Sequence, residues 1–153
     1  MNALALFGYF VVCLFVGFGL TVIVAAFRPV KKHDDFKSWR WTAFFTMLCL
    51  GAPYAYAEVM TNKHGAPMQK AVETVLRAGK VKGKLAYYKV LKADETTASV
   101  IIVGREKTTT NPAESVVMSA DLVKKDGKWR AREFRFVDSF QRNRDGFTFP
   151  PYW

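Results

Sequence analysis

Two long apolar runs open the chain, and an alternating polar and apolar pattern follows them. Ala3 to Phe27 carries no charged residue, and neither does Trp41 to Ala57. A helix rises about 1.5 Å per residue, so the first run reaches roughly 37 Å, enough for a hydrocarbon core of about 30 Å. In lipid a backbone must satisfy its own polar groups, which makes helix the expected form. No Lys or Arg precedes Arg28, and the run is too long for the apolar region of a signal peptide. The second run lies at the short end of the spanning range. Pro53 is placed near its end, where a lost backbone donor matters least. Lys37–Arg40, an apolar stretch, and Ala55-Tyr56-Ala57 before Glu58 also fit an export signal. Both readings send the chain beyond Ala57 to the same side.

The later pattern predicts one helix and four strands. Pro67 suits a first helical turn. Met68, Val72, Val75 and Leu76 share one face, Glu73 and Arg77 stand at i,i+4, and Gly79 is a stop signal. Strands are expected over Leu85–Lys92, Ala98–Arg105, Ser115–Lys124 and Lys128–Val137. Val100–Val103 is apolar throughout, which places that strand centrally. A three-residue loop at Lys125-Asp126-Gly127 sets Lys124 opposite Lys128. Met118 then faces Phe134, Val116 faces Phe136, and Ser119 faces Glu133, which sorts apolar from polar. A two-residue loop sets Met118 against Arg135. The fold class is membrane α+β: a two-helix transmembrane hairpin (spans 3–27 and 41–57, loop 28–40), then one helix on a four-stranded antiparallel sheet (58–138), then a tail (139–153).

Charge orients the hairpin. The net charge is +10. Arg28–Arg40 holds five basic residues and two acidic ones, and positive residues in short loops stay cytoplasmic. The N-terminus and the C-terminal domain are therefore expected outside, on the periplasmic side. Arg28, Lys31, Lys32, Trp39, Arg40 and Trp41 mark one membrane interface; Tyr54 and Tyr56 mark the other. Gly8, Gly17 and Gly19 do not form G-x-x-x-G, and they suit ordinary glycine use as well as a packing face. Neither span holds Asp, Glu, His, Lys or Arg, which argues against a proton path, an ion channel or a haem ligated in the bilayer.

Candidate chemistry is sparse. Cys13 and Cys49 both lie in the apolar runs, so no disulfide framework or zinc site can be written. His33, Asp34 and Asp35 are adjacent in a loop and make a poor ligand set. His64 has no partner at ligating spacing. Ser115 and Ser119 lack a His and acid arrangement, and no glycine-rich phosphate loop follows a strand. No cofactor, metal or catalytic residue is expected, and the chain reads as non-catalytic. Lys80, Lys82 and Lys84 follow the helix as a basic stretch that reads equally as a lipid-phosphate contact or a solvated linker. Phe140, Arg142, Arg144, Phe147, Phe149, Tyr152 and Trp153 give the tail an interface-like composition, stiffened by Pro150-Pro151. It reads as a strap onto a neighbouring subunit or as a cover for its own sheet.

The final hairpin, Asp121-Leu122-Val123-Lys124-Lys125-Asp126-Gly127-Lys128-Trp129-Arg130, resembles the ending of small cystatin-like and nuclear-transport-factor-2-like domains, the cytochrome-oxidase-assembly-factor kind among them. The resemblance covers about residues 67 to 138. The Gly-x-Pro element of the assembly-factor group after the helix is missing. The resemblance implies a membrane-tethered role in secretion, import or respiratory-complex assembly, and maps no catalytic residue. Together these features predict an accessory or structural subunit of a larger membrane complex, respiratory or photosynthetic. Its partners would be integral membrane subunits, with anionic lipid as a second ligand and no nucleic acid. The alternatives are a transient assembly or transport factor and a lipid or small-ligand binding module.

Overall fold

The computed structural model describes residues 3–28, 37–106 and 114–139. The elements are α1 (Ala3–Phe27), α2 (Ser38–His64), a single 3-10 turn (Ala66–Met68), α3 (Gln69–Ala78), and strands β1 (Gly83–Ala93), β2 (Thr97–Glu106), β3 (Glu114–Lys125) and β4 (Lys128–Asp138). The chain divides into two compact units between Ala55 and Tyr56. The last turns of α2 therefore belong to the unit that contains the sheet.

In the first unit α1 packs antiparallel to α2. Both helices are long and apolar enough to cross a membrane. The second exceeds the run read from sequence: α2 continues through Pro53 to His64. Pro53 thus lies inside the helix, not near its end, and cannot supply the i+4 N–H that the Cys49 carbonyl, four residues earlier, would receive in a regular helix.

The second unit is an antiparallel meander, with strand order β1-β2-β3-β4 in an open sheet. Each strand agrees with its sequence pattern to within two residues. β2 is central, with Val100 and Ile102 buried on one face and Ile101 and Val103 on the other. The 3-10 turn and α3 lay Met68, Val72, Val75 and Leu76 across the first face. They meet Val90, Val100, Ile102, Met118, Ala120 and Leu122 in one core. Burying such side chains contributes about 1.5–3 kcal/mol each before chain entropy is counted. On the opposite face Ile101, Val103, Val117 and Val137 form a second, smaller buried cluster.

Pro67 sits in the first helical turn, a 3-10 turn that runs directly into α3 at Gln69. Two local expectations are corrected. Glu73 accepts a hydrogen bond from Gln69 Nε2 at 3.2 Å, and no ion pair joins it to Arg77 among the described residues. α3 ends where Gly79 predicts, but the left-handed residue is Lys80 (φ 51°). The Lys80 N–H donates to the Arg77 carbonyl and the Val81 N–H to the Leu76 carbonyl, the double closure of a Schellman end. Gly79 serves packing instead, since a Cβ there would lie 2.8 Å from Met118 Cε.

The β3–β4 register also differs. Lys125 pairs with Lys128, so the turn has two residues, Asp126 (φ 52°) and Gly127 (φ 73°). Positive φ at both positions is the primed hairpin geometry that matches strand twist. Met118 nevertheless avoids Arg135. Arg132 is an extra residue between the Leu122–Ala131 and Asp121–Glu133 pairs, and this bulge sets Met118 against Phe136 and Ala120 against Phe134. Apolar and polar residues are sorted as the pattern requires, through a bulge instead of a longer loop.

Candidate functional site

The seam between α1 and α2 carries the most built chemistry in the first unit. Small and hydroxyl residues at spacings of four line up along it. A Cβ at Gly17 would collide with Thr46 Oγ1 and lie 2.8 Å from Thr46 N, so only glycine allows this backbone approach. One turn along, Thr21 donates to the Gly17 carbonyl at 2.8 Å, and Thr42 reaches Thr21 at 3.1 Å. At the other end Tyr9 donates to the Cys49 carbonyl at 2.9 Å, with Leu50 O at 3.3 Å. The Tyr9 ring meets Tyr54 edge-on at 6.4 Å. Among the described residues Thr46 Oγ1 is buried without a hydrogen-bond partner. These groups are neutral hydroxyls, and their hydrogen bonds fasten one helix to the other.

A groove of about 750 Å³ opens beside this seam. Phe18, Val22, Ala25, Trp39, Ala43 and Met47 are among its walls. The predicted interface residues flank it. Trp39, Arg40 and Trp41 are exposed in the first turn of α2, and the Arg40 guanidinium lies 5.7 Å from the Trp39 ring centroid. Arg28 is exposed just past α1. Tyr54 is exposed about 22 Å further along α2 than Trp39, and Tyr56 is exposed as well. Lys31 and Lys32 lie outside the described residues, as do His33, Asp34 and Asp35.

In the second unit a device the sequence did not signal holds the end of α2 to the sheet. Thr61 Oγ1 donates to the Ala57 carbonyl at 2.6 Å and accepts the Val90 N–H at 2.8 Å. β1 is an edge strand, and Thr61 satisfies one of its outward backbone donors. Glu58 pairs with Lys89 alongside. Tyr88 packs against the main core with its hydroxyl close to Gly65, and burial raises its pKa above the ordinary tyrosine value.

The basic stretch lies where α3 turns into the sheet. Lys80, Lys82 and Lys84 are all exposed, and Lys84 stands opposite Arg105 across β1 and β2. The Lys82 N–H donates to the buried Glu106 carboxylate at 2.9 Å. His64 lines a hollow of about 460 Å³ with Pro67, Asp94, Glu95 and Trp129. Ser119 lines another of about 340 Å³ beside Asp121, Glu133 and Arg135, while Ser115 is exposed elsewhere on β3. Among the described residues no group of three His, Cys, Asp or Glu side chains is arranged to hold a metal ion. The proposed docking residues Phe140, Arg142, Arg144, Phe147, Phe149, Tyr152 and Trp153 lie outside the described residues.

The fold and these contacts define an α+β chain that begins with a seamed pair of apolar helices. No protein-family model matches it, and comparison with curated proteins and with solved structures gives no match either.

Proposed function

We propose that this chain is a non-catalytic accessory subunit of a larger integral membrane complex, anchored by α1 and α2. The observation that carries the reading is the outer surface of those helices. Leu4, Phe7, Phe15 and Met47 are each more than two-thirds exposed, in a row of large apolar side chains on both helices. Water does not tolerate apolar surface on that scale, so lipid or other apolar helices must cover it. The inner seam holds only neutral groups, which suits an element that packs and does not conduct. The basic turn between the helices would lie on the cytoplasmic side, and the sheet unit and tail on the periplasmic side. There the tail residues Phe140 to Trp153 would dock a neighbouring subunit. A respiratory or photosynthetic complex is the proposed setting.

The test is purification of the tagged chain from native membranes in mild detergent, followed by mass spectrometry and an absorption spectrum. A stoichiometric set of membrane subunits is expected, and its pigment or haem bands would name the kind of complex. A chain that always runs alone overturns the proposal. A second reading, a transient assembly or transport factor, draws on α3 packed across a four-stranded meander and on the Asp126-Gly127 turn before Lys128-Trp129, the features of the cystatin-like resemblance. Substoichiometric association, absent from the mature complex, would favour it.

A further inference from the structure

The groove beside the seam has a graded chemistry along its length. Its walls run from Phe10 and Leu50 at one end to Ala25 and Ser38 at the other. That is about 15 residues of helix, or roughly 22 Å, which exceeds the ~15 Å depth of one leaflet of hydrocarbon. The walls are almost wholly apolar over this distance. The end at Ala25 and Ser38 is different. Arg28 follows Ala25 by less than one turn, and Lys37 and Arg40 bracket Ser38, all three exposed. The Arg40 guanidinium lies 5.7 Å from the ring centroid of Trp39, which is itself a groove wall. The first turn of α2 contains no acidic residue.

An apolar slot that ends among cations matches an anionic amphiphile. We propose that the groove between α1 and α2 holds one anionic phospholipid. Its acyl chain lies along Phe18, Val22, Ala43 and Met47, and its phosphate is bound at the end marked by Arg28, Lys37 and Arg40. The proposal rests on the membrane reading above. A zwitterionic lipid fits the apolar slot equally well but not the charge, so the three cations set the preference. Trp39 serves both parts, with an apolar face on the chain and a stacked Arg40 beside the phosphate. The lipid would then be a wedge that completes the lateral surface of the hairpin on this side.

The experiment has two stages, so that the two readings fail separately. Membranes bearing the full chain are first washed with alkaline carbonate and floated. A chain released into the soluble fraction removes the membrane reading itself. A retained chain is purified in neutral detergent and mixed with equal amounts of dioleoyl phosphatidylglycerol and dioleoyl phosphatidylcholine. Native mass spectrometry then counts bound lipid. One phosphatidylglycerol per chain is expected to survive where phosphatidylcholine is stripped. Lys37→Gln and Arg40→Gln should each lower that preference about fivefold. Ala43→Phe, which fills the slot and leaves the charges in place, should abolish retention while circular dichroism stays that of the parent. Equal retention of the two lipids overturns the proposal. So does unchanged phosphatidylglycerol retention in Ala43→Phe. If that variant instead loses co-purifying membrane subunits, the occupant is a partner helix.

Discussion

The Tyr9 hydroxyl donates to the Cys49 carbonyl across the helix pair at 2.9 Å, and Cys49 is the residue whose helical donor Pro53 removes. A lone carbonyl in an apolar surrounding costs free energy, and the tyrosine of the facing helix relieves that cost. Tyr9→Phe is therefore expected to destabilise the hairpin by about 1 kcal/mol, the scale of hydrogen bonds between membrane helices. In a Pro53→Ala background the backbone supplies its own donor, and the cost should fall toward zero. A double-mutant cycle on thermal unfolding in detergent measures the coupling. Additive effects would disconnect the two residues.

Gly17 sets the closest approach of α1 to α2. Gly17→Ala puts a methyl against Thr46 N, a backbone atom that cannot turn away. The expected cost is about 1–3 kcal/mol, as for other overpacked contacts. Gly8 and Gly19 have open space at the Cβ position, so the same substitution there should leave the melting temperature nearly unchanged. Comparing the three variants in one detergent checks both statements.

Thr61 bridges α2 and the sheet edge. Thr61→Val keeps the shape and leaves the Val90 N–H without its acceptor. A loss of about 1–3 kcal/mol is expected, the penalty for an unsatisfied buried donor. Hydrogen exchange at the Val90 amide should accelerate more than exchange at core amides of β2.

Lys80 occupies a left-handed conformation at the end of α3. That geometry costs a side-chain-bearing residue about 1–2 kcal/mol and costs glycine little. Lys80→Gly should raise stability by about 1 kcal/mol, a few degrees in melting temperature. It also removes one charge from the basic stretch. Lys82→Gln removes a charge without the backbone gain, so it should leave the melting temperature close to the parent's.

Tyr88 has a raised pKa because its ring and hydroxyl are partly desolvated. A group whose folded pKa exceeds its unfolded value contributes stability that is complete below the unfolded value, here near pH 10. That contribution is lost as the pH climbs through the raised value. Melting temperatures should therefore fall above pH 10, and Tyr88→Phe should show a shallower fall over the same window. Identical slopes would remove Tyr88 as a source of the dependence.

The sequence by itself determined what local periodicity can determine. Charge-free runs mark two helices, because a long uninterrupted apolar stretch has few other stable forms. The stripe Met68, Val72, Val75 and Leu76 marks the buried face of the 3-10 turn and α3, and its four members are all buried. Alternation places each strand, and the all-apolar Val100–Val103 identifies the strand covered on both faces. The place of the Asp126-Gly127 turn was legible too, but not its length of two residues. Tertiary structure decided the rest. Register in β4 depends on the bulge at Arg132, which a count along one strand cannot reveal, because sorting by a longer loop or by a bulge satisfies the same alternation. The end of α2 depends on Thr61 and Glu58 finding β1 about thirty residues away. The seam depends on which turn of α2 meets Gly17. Thr42 and Thr46, four apart in an apolar helix, were the available signal, but a spacing shows only that two residues share a face. Which partner that face meets is set by packing between helices, an interaction between distant parts of the chain that no window of local sequence contains.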